Sequence, residues 1–160
     1  MAPRPDQCSI RRPRWGDGAG LYELARRAGG LDVNSSYAYL LWVRDFSEST
    51  AVAEAGGDLL AFCTGYLRPD SPSTYFVWQV AVDPLARGAG LARAVLEEVV
   101  DHSGATRLEA TVTADNEASN RLFSRFAERR RAPLVREELF TAADFPDEHP
   151  PEQLLRIGPF

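Results

Sequence analysis

Cysteine, histidine and methionine are scarce in this 160-residue chain, with two Cys, two His and one Met. Cys8 and Cys63 stand in no Cys-x-x-Cys or Cys/His cluster, so no metal site is implied. Cys63 lies in an apolar run, the setting of a reduced core thiol. No apolar stretch approaches the ~20 residues of a membrane span. The N-terminus is polar and rich in proline and arginine, without the apolar core of a secretion signal. A reducing cytoplasm is therefore the expected location. A basic excess is also missing: the formal net charge is −5. That counts against a nucleic-acid partner and is compatible with a small cationic substrate. Arginines do cluster at Arg11, Arg12 and Arg14 and at Arg129, Arg130 and Arg131, where a solvated surface is expected. Internal repeats are absent.

What is present suits one globular domain: 44% of residues are apolar and 26% charged. Residues 1–7 read as a disordered leader and 8–160 as the domain. Segment 8–12 suits a short strand. Leu21, Leu24, Ala25 and Ala28 mark a helix over 17–28, stopped by Gly29 and Gly30. A helix over 37–46 is apolar on two faces, Tyr37, Leu40 and Leu41 on one and Tyr39, Trp42, Val43 and Phe46 on the other. Such a helix suits either a core or a pocket or partner contact. Strands 50–54 and 58–67 flank Ala55-Gly56-Gly57, a hairpin signal. Pro69 and Pro72 punctuate a loop before a long strand over 74–82, which Asp83-Pro84 ends. A helix over 89–101 follows, with Leu91, Val95, Leu96, Val99 and Val100 inward. A strand over 107–113 comes next, then a helix with Ala118, Leu122, Phe123 and Phe126 inward. The proline-rich tail holds short strands, one near 154–157. The order predicts a mixed α/β (α+β) layer fold.

The strongest local signal is Arg87-Gly88-Ala89-Gly90-Leu91-Ala92, where a strand runs through a glycine loop into a helix. The glycines let main-chain N–H groups approach a bulky anion, and the helix start adds positive potential. Together they can cradle a diphosphate without a lysine. Arg87 could add a side-chain contact. A P-loop is excluded because GxxxxGK[ST] is absent. A dinucleotide fingerprint lacks its third glycine, since Arg93 stands there, although Glu109 lies at a tolerable distance for its ribose-binding acid. A glycine-bearing helix start with no ligand is the plain alternative.

This segment resembles the acyl-CoA signature [RQ]-x-x-G-x-[GA] of the GNAT acetyltransferase superfamily. Asn116-Glu117-Ala118-Ser119-Asn120-Arg121-Leu122-Phe123 resembles the superfamily's NxxAxxLY helix. The resemblance implies a mixed central sheet flanked by helices and splayed between two central strands, with acetyl-CoA in the cleft and no metal. Residues Arg87, Gly88, Ala89, Gly90, Leu91 and Ala92 would then hold the diphosphate. Val80 and Val82 would pair with the pantetheine arm, and Asn116 and Asn120 would lie beside the CoA tail or simply cap the helix. An N–H near Val80 or Ala81 would polarise the thioester carbonyl. Phe123 stands where the superfamily usually has a tyrosine acid. Tyr37, Tyr39 or water would replace it, and a thiol of pKa near ~8.5 is a fair leaving group without one.

A narrower resemblance covers most of the chain. Residues 31–41 (LDVNSSYAYLL), 76–83 (FVWQVAVD), 111–119 (TVTADNEAS) and 155–159 (LRIGP) are similar to the L-2,4-diaminobutyrate acetyltransferases of ectoine biosynthesis. Those enzymes acetylate the 4-amine of the diamino acid to give an osmoprotectant precursor, and form homodimers with the substrate site near the interface. By this resemblance Asp32 and Tyr37 bind the diamine. Trp78 walls the pocket or stacks on a cation. Glu148, His149 and Glu152 complete it. Each has an ordinary alternative: a helix-start charge, a core tryptophan, or surface groups in a proline-rich tail. An alkylamine has pKa near ~10.4, so attack needs a base. Glu109, His149 and Glu152 are the candidates. The alternatives are a GNAT enzyme for another diamine, lysine or a peptide amine, and a non-catalytic acyl-CoA-binding domain.

Overall fold

A computed structural model describes residues 3–160. Seven strands form one sheet in the order β1-β2-β3-β4-β5-β7-β6. They are β1 (Ser9–Arg11), β2 (Ala51–Ala55), β3 (Asp58–Arg68), β4 (Ser71–Val82), β5 (Arg107–Val112), β6 (Leu134–Phe140) and β7 (Glu152–Ile157). Among the described residues, only β4 and β5 run parallel, joined by the crossover helix α3 (Leu91–Ser103). The other helices are α1 (Gly18–Ala28), α2 (Ser36–Asp45) and α4 (Glu117–Arg130). The mixed α/β expectation holds. Met1 and Ala2 lie outside the described residues, and Pro5–Gln7 form one 3-10 turn where disorder was expected.

Two cores sandwich the sheet. α3 and α4 cover one face through Leu91, Val95, Leu96, Val99, Phe123 and Phe126, together with Leu108 and Ala110 of β5. α1 and α2 cover the other through Leu21, Leu24, Ala25, Tyr39 and Val43, over Val52, Phe62 and Ala81. The inward stripes read for α1 and α3 are the buried ones. In α4 the stripe is displaced: Ala118 is exposed, and Ala127 is buried with Phe123 and Phe126. α2 buries Tyr39, Trp42 and Val43, while Tyr37 and Leu40 on its other face stand in solvent. Pro72 falls inside β4, beyond the loop expected there. The ladder is irregular between Leu67 and Arg68, where a residue without an N–H is tolerated. The arginine clusters are not merely solvated. Arg11 bridges Asp17 at 2.6 Å and Glu54. Arg130 lies 5.2 and 5.3 Å over the Phe126 and Phe160 rings and bonds Glu97 and Asp101.

One irregularity creates the cleft. Gly65 pairs with Val77 and Thr64 with Gln79, which leaves Trp78 as the extra residue of a β-bulge. The bulge inverts the alternation of β4, so Val77 packs in the α3/α4 core and Ala81 in the α1/α2 core. Gly65 makes room for it: a Cβ there would stand 2.3 Å from the Phe76 carbonyl oxygen and 2.4 Å from the Tyr75 hydroxyl. The parallel ladder of β4 with β5 stops at Val77 and Ala110. Beyond it the two strands diverge, and the edge of β4 that carries Val80 and Val82 faces open space.

Candidate active site

The loop at the end of β4 is braced from beneath. Asp83 takes the Leu85 N–H at 2.9 Å and the Arg27 guanidinium at 3.1 Å. Gly88 and Gly90 take φ of 80° and 86°, the left-handed region that L side chains disfavour. Among the described residues, the N–H groups of Arg87, Gly88, Ala89 and Gly90 reach no main-chain acceptor. They sit at the open N-terminus of α3, whose first intrahelical bond is Ala94 N–H to the Gly90 carbonyl at 3.1 Å. Unpaired donors of this kind, at the positive end of a helix dipole, fit a diphosphate. The Arg87 side chain does not point to that role. Its guanidinium donates to the Ala28 carbonyl at the end of α1. The diphosphate contact expected of this side chain is thus corrected, because the guanidinium is engaged within the fold.

Asn116 and Asn120 are engaged in the fold. Asn116 caps α4 by accepting from the Ser119 N–H at 3.1 Å. Asn120 donates to the Asn116 carbonyl at 2.9 Å and accepts from Arg136 at 2.9 Å. This is the capping alternative raised above.

At the other end of the cleft three sequence candidates meet. Gln79, just past the bulge, donates from Nε2 to the Asp32 main-chain carbonyl at 2.7 Å. Thr111, the first β5 residue past the parallel ladder, pairs with Leu154 of β7, two residues from Glu152 at the start of that strand. His149 spans the two walls, with Nε2 3.8 Å from Asp32 Oδ2 and 3.8 Å from Glu152 Oε1. Its ring stacks on Phe145, centroids 4.1 Å apart. Its Nδ1 lies 2.6 Å from the Pro150 carbonyl oxygen, which can only accept. The proton of a neutral ring therefore sits on Nδ1, and the Nε2 lone pair faces the carboxylates.

The two acids differ. The Asp32 side chain is 98% exposed, whereas that of Glu152 is 18% exposed. Glu152 Oε2 is buried without a hydrogen-bond partner. Burial pushes the Glu152 carboxyl above the usual range, the neighbouring His149 ring and Thr111 hydroxyl draw it down, and the Asp32 charge adds to the rise. A buried carboxylate oxygen without a partner leaves an acceptor that a cationic donor would satisfy. Trp78, the bulge residue of β4, stands half exposed, 6.0 Å from the Trp42 ring. Tyr37 is 64% exposed on the first turn of α2, and Glu148 is exposed. Neither joins the three-residue cluster. Phe123 is buried in the α3/α4 core, and the Tyr39 hydroxyl donates to Gln79 Oε1 at 3.0 Å.

Glu109 is a correction. It lies within the closed part of the ladder, opposite Phe76. Its carboxylate accepts from Arg68 at 2.8 Å and from Arg156 at 3.1 Å. Both carboxylate oxygens are engaged by guanidinium groups, which suits a structural ion pair more than a base. Glu109→Gln is expected to keep kcat at the wild-type level. Its Tm falls by several degrees, because a mostly buried pair loses about 1–3 kcal/mol when one partner is neutralised and the other stays half exposed. Calorimetry and steady-state rates check both.

Sequence reasoning passed over Gln79, Thr111 and Phe145. Only Gln79 left a signal, as the single amide in the apolar run TYFVWQVAV.

Diphosphate loop, splayed strands and crossover helix define a class, and residues 19–127 match the Acetyltransferase (GNAT) family, to which the chain belongs. Within it, the chain belongs with the L-2,4-diaminobutyric acid acetyltransferases. That of Streptomyces coelicolor is 54% identical over 94% of this chain and 92% of its own length. That of Nocardia farcinica is 50% identical over 94% of this chain and 79% of its own. The solved diaminobutyrate acetyltransferase EctA of Paenibacillus lautus, in complex with L-2,4-diaminobutyric acid and coenzyme A, superposes with a TM-score of 0.90. It is 38% identical, with 95% of each chain covered.

Proposed function

We propose that this chain transfers the acetyl group of acetyl-CoA to the 4-amine of L-2,4-diaminobutyrate, giving N4-acetyl-2,4-diaminobutyrate for ectoine synthesis. The observation that carries the reading is the convergence of Asp32, His149 and Glu152 across the β4–β5 cleft. Two carboxylates hold the α-ammonium, which fixes the zwitterion and leaves the 4-amine free. The lone pair of His149 Nε2 takes the proton that the 4-amine must shed. Asp32 and Glu152 then stabilise the imidazolium beside them. Trp78 walls the acceptor. The amides of Arg87 to Ala92 hold the diphosphate, while the free edge of β4 at Val80 and Val82 holds the pantetheine arm. Acetyl-CoA supplies the acyl carbon and a thiolate leaving group, and no metal is required. Tyr37 and Glu148 stand at the rim and contact substrate only from there.

Two further features accompany the reading. Tyr37 and Leu40 leave an apolar face of α2 in solvent, which supports a homodimer with the acceptor site near its interface. Cys8 and Cys63 are both free, which supports a reducing cytoplasm. No helix among the described residues is long and apolar enough to cross a membrane.

The test is thiol release from acetyl-CoA with a panel of amines: L-2,4-diaminobutyrate, L-lysine, 4-aminobutyrate and a peptide amine. The diamino acid is expected to exceed the others by at least about 10²-fold in kcat/KM, the scale of a paired ammonium–carboxylate contact. Equal rates across the panel would discard the acceptor assignment, and CoA binding without thiol release would discard the enzyme.

A further inference from the structure

Asp32 is held from both sides in very different ways. Upstream, α1 is fastened to the cofactor loop, with Arg27 on Asp83 at 3.1 Å and Arg87 on the Ala28 carbonyl. Gly29 and Gly30 follow, both at positive φ, and a Cβ at either position would meet nothing within 4 Å. The chain therefore leaves α1 through two residues with no packing of their own. Leu31 touches the α1/α2 core. The next polar restraint on the main chain is the bond from Gln79 Nε2 to the Asp32 carbonyl at 2.7 Å. The Asp32 carboxylate itself is almost wholly exposed, with the His149 ring 3.8 Å away. Nothing but its backbone fixes where it hangs.

Gln79 is itself immobilised. It is buried, and its Oε1 accepts from the buried Tyr39 hydroxyl at 3.0 Å. Because the Asp32 carbonyl can only accept, the amide must turn its NH₂ to Asp32, which leaves Oε1 to take the Tyr39 hydroxyl proton. The bulge at Trp78 is what turns Gln79 toward α1 and α2. A strand with regular alternation would aim it into the opposite core.

We infer that Gln79 is a positioning residue for acceptor recognition: through its NH₂ it fixes the Asp32 main chain so that the carboxylate meets the α-ammonium of the substrate. The inference rests on the acceptor reading above. It assigns to Gln79 the discrimination between a diamino acid and a monoamine lacking the α-amine, and no part in the chemical step.

The experiment compares kcat/KM for L-2,4-diaminobutyrate with that for 4-aminobutyrate, which lacks only the α-amine. The proteins are wild type, Gln79→Met, Gln79→Glu, Tyr39→Phe and Asp32→Asn. Asp32→Asn is expected to collapse the ratio. Gln79→Met should lower it at least about tenfold through a rise in the diamine KM, because a displaced binding group forfeits most of its contact. The 4-aminobutyrate rate and the KM for acetyl-CoA should stay within about twofold. Gln79→Glu keeps an acceptor for Tyr39 but turns a carboxylate oxygen to the Asp32 carbonyl in place of the donor, so it breaks that bond, reproduces the collapse and replaces Gln79→Met if that protein does not fold. Tyr39→Phe lowers the Tm but retains most of the ratio, as a merely structural role for Gln79 would not predict. A wild-type ratio in both Gln79 variants, beside a collapsed one in Asp32→Asn, overturns the inference alone. An unchanged ratio in Asp32→Asn overturns the acceptor reading with it.

Discussion

In Glu152→Gln, kcat/KM for L-2,4-diaminobutyrate is expected to fall by about 10²–10³-fold, because truncating one partner of a buried, hydrogen-bonded charge pair removes on the order of 2–5 kcal/mol. CoA affinity should stay at the wild-type level, since the diphosphate loop lies at the far end of β4. The substitution is nearly isosteric, so its effect is one of charge. Glu152 is the more buried of the two acids and the one with an unpaired oxygen, so it loses more than the exposed Asp32. The same carboxyl shapes the stability of the free protein. Its pKa is raised in the folded state, chiefly by burial. Between the unfolded value near ~4.3 and that raised value, the folded form holds a proton that the unfolded chain has released. The unfolded state binds fewer protons there, so stability falls as pH rises through the window and is level above it. Thermal scans of the free enzyme from acid toward neutral pH should show this decline, and Glu152→Gln should lack it. A rate within a few-fold of wild type would remove Glu152 from the acceptor site. A decline persisting in the variant would assign it to another group.

The helices and strands were legible because their physics is local. Leu21, Leu24, Ala25 and Ala28 fall at helical spacing and are the buried residues of α1. The loop at Arg87–Ala92 was legible for the same reason, since a strand end, two glycines and a helix start are contiguous. The acceptor site was harder. Asp32 lies more than a hundred residues from His149 and Glu152, which share the C-terminal segment, and only their resemblance to a family suggested that the two segments meet. Glu109 shows where strand-level reasoning stops. It does stand on the strand bordering the cleft, but the ladder remains closed at its level, and Arg68 and Arg156 come to it from β3 and β7. Those partners are 41 and 47 residues away. No periodicity reports such a contact. The bulge at Trp78 was equally silent, because an extra residue in a strand is visible only against the strand it pairs with.

Gly90→Val is expected to weaken CoA binding by about 10²-fold or more while the protein still folds, since losing one or two hydrogen bonds to a charged group removes on the order of 1.5–3 kcal/mol each. Gly90 holds φ at 86° and ψ at 11° as the residue preceding α3. The nearest atom to its would-be Cβ is Pro5 Cγ at 3.8 Å, an ordinary contact, so the free protein has room for a side chain. The difficulty is conformational. A β-branched residue in the left-handed region is disfavoured by at least ~1–2 kcal/mol, which corresponds to a Tm lower by roughly 2–8 °C at this chain length. The backbone can relieve that strain only by rotating the peptide planes on either side of residue 90. Those planes carry N–H groups that the loop turns toward the helix N-terminus, so relief of strain and loss of the anion site are one event. If the backbone instead tolerates the strain, the valine methyls project from the loop surface where a diphosphate must come within hydrogen-bonding distance of the amides. Both routes end in weak binding, and calorimetry with CoA reads them together. Full affinity in a folded Gly90→Val protein would mean that the diphosphate is held somewhere other than the start of α3.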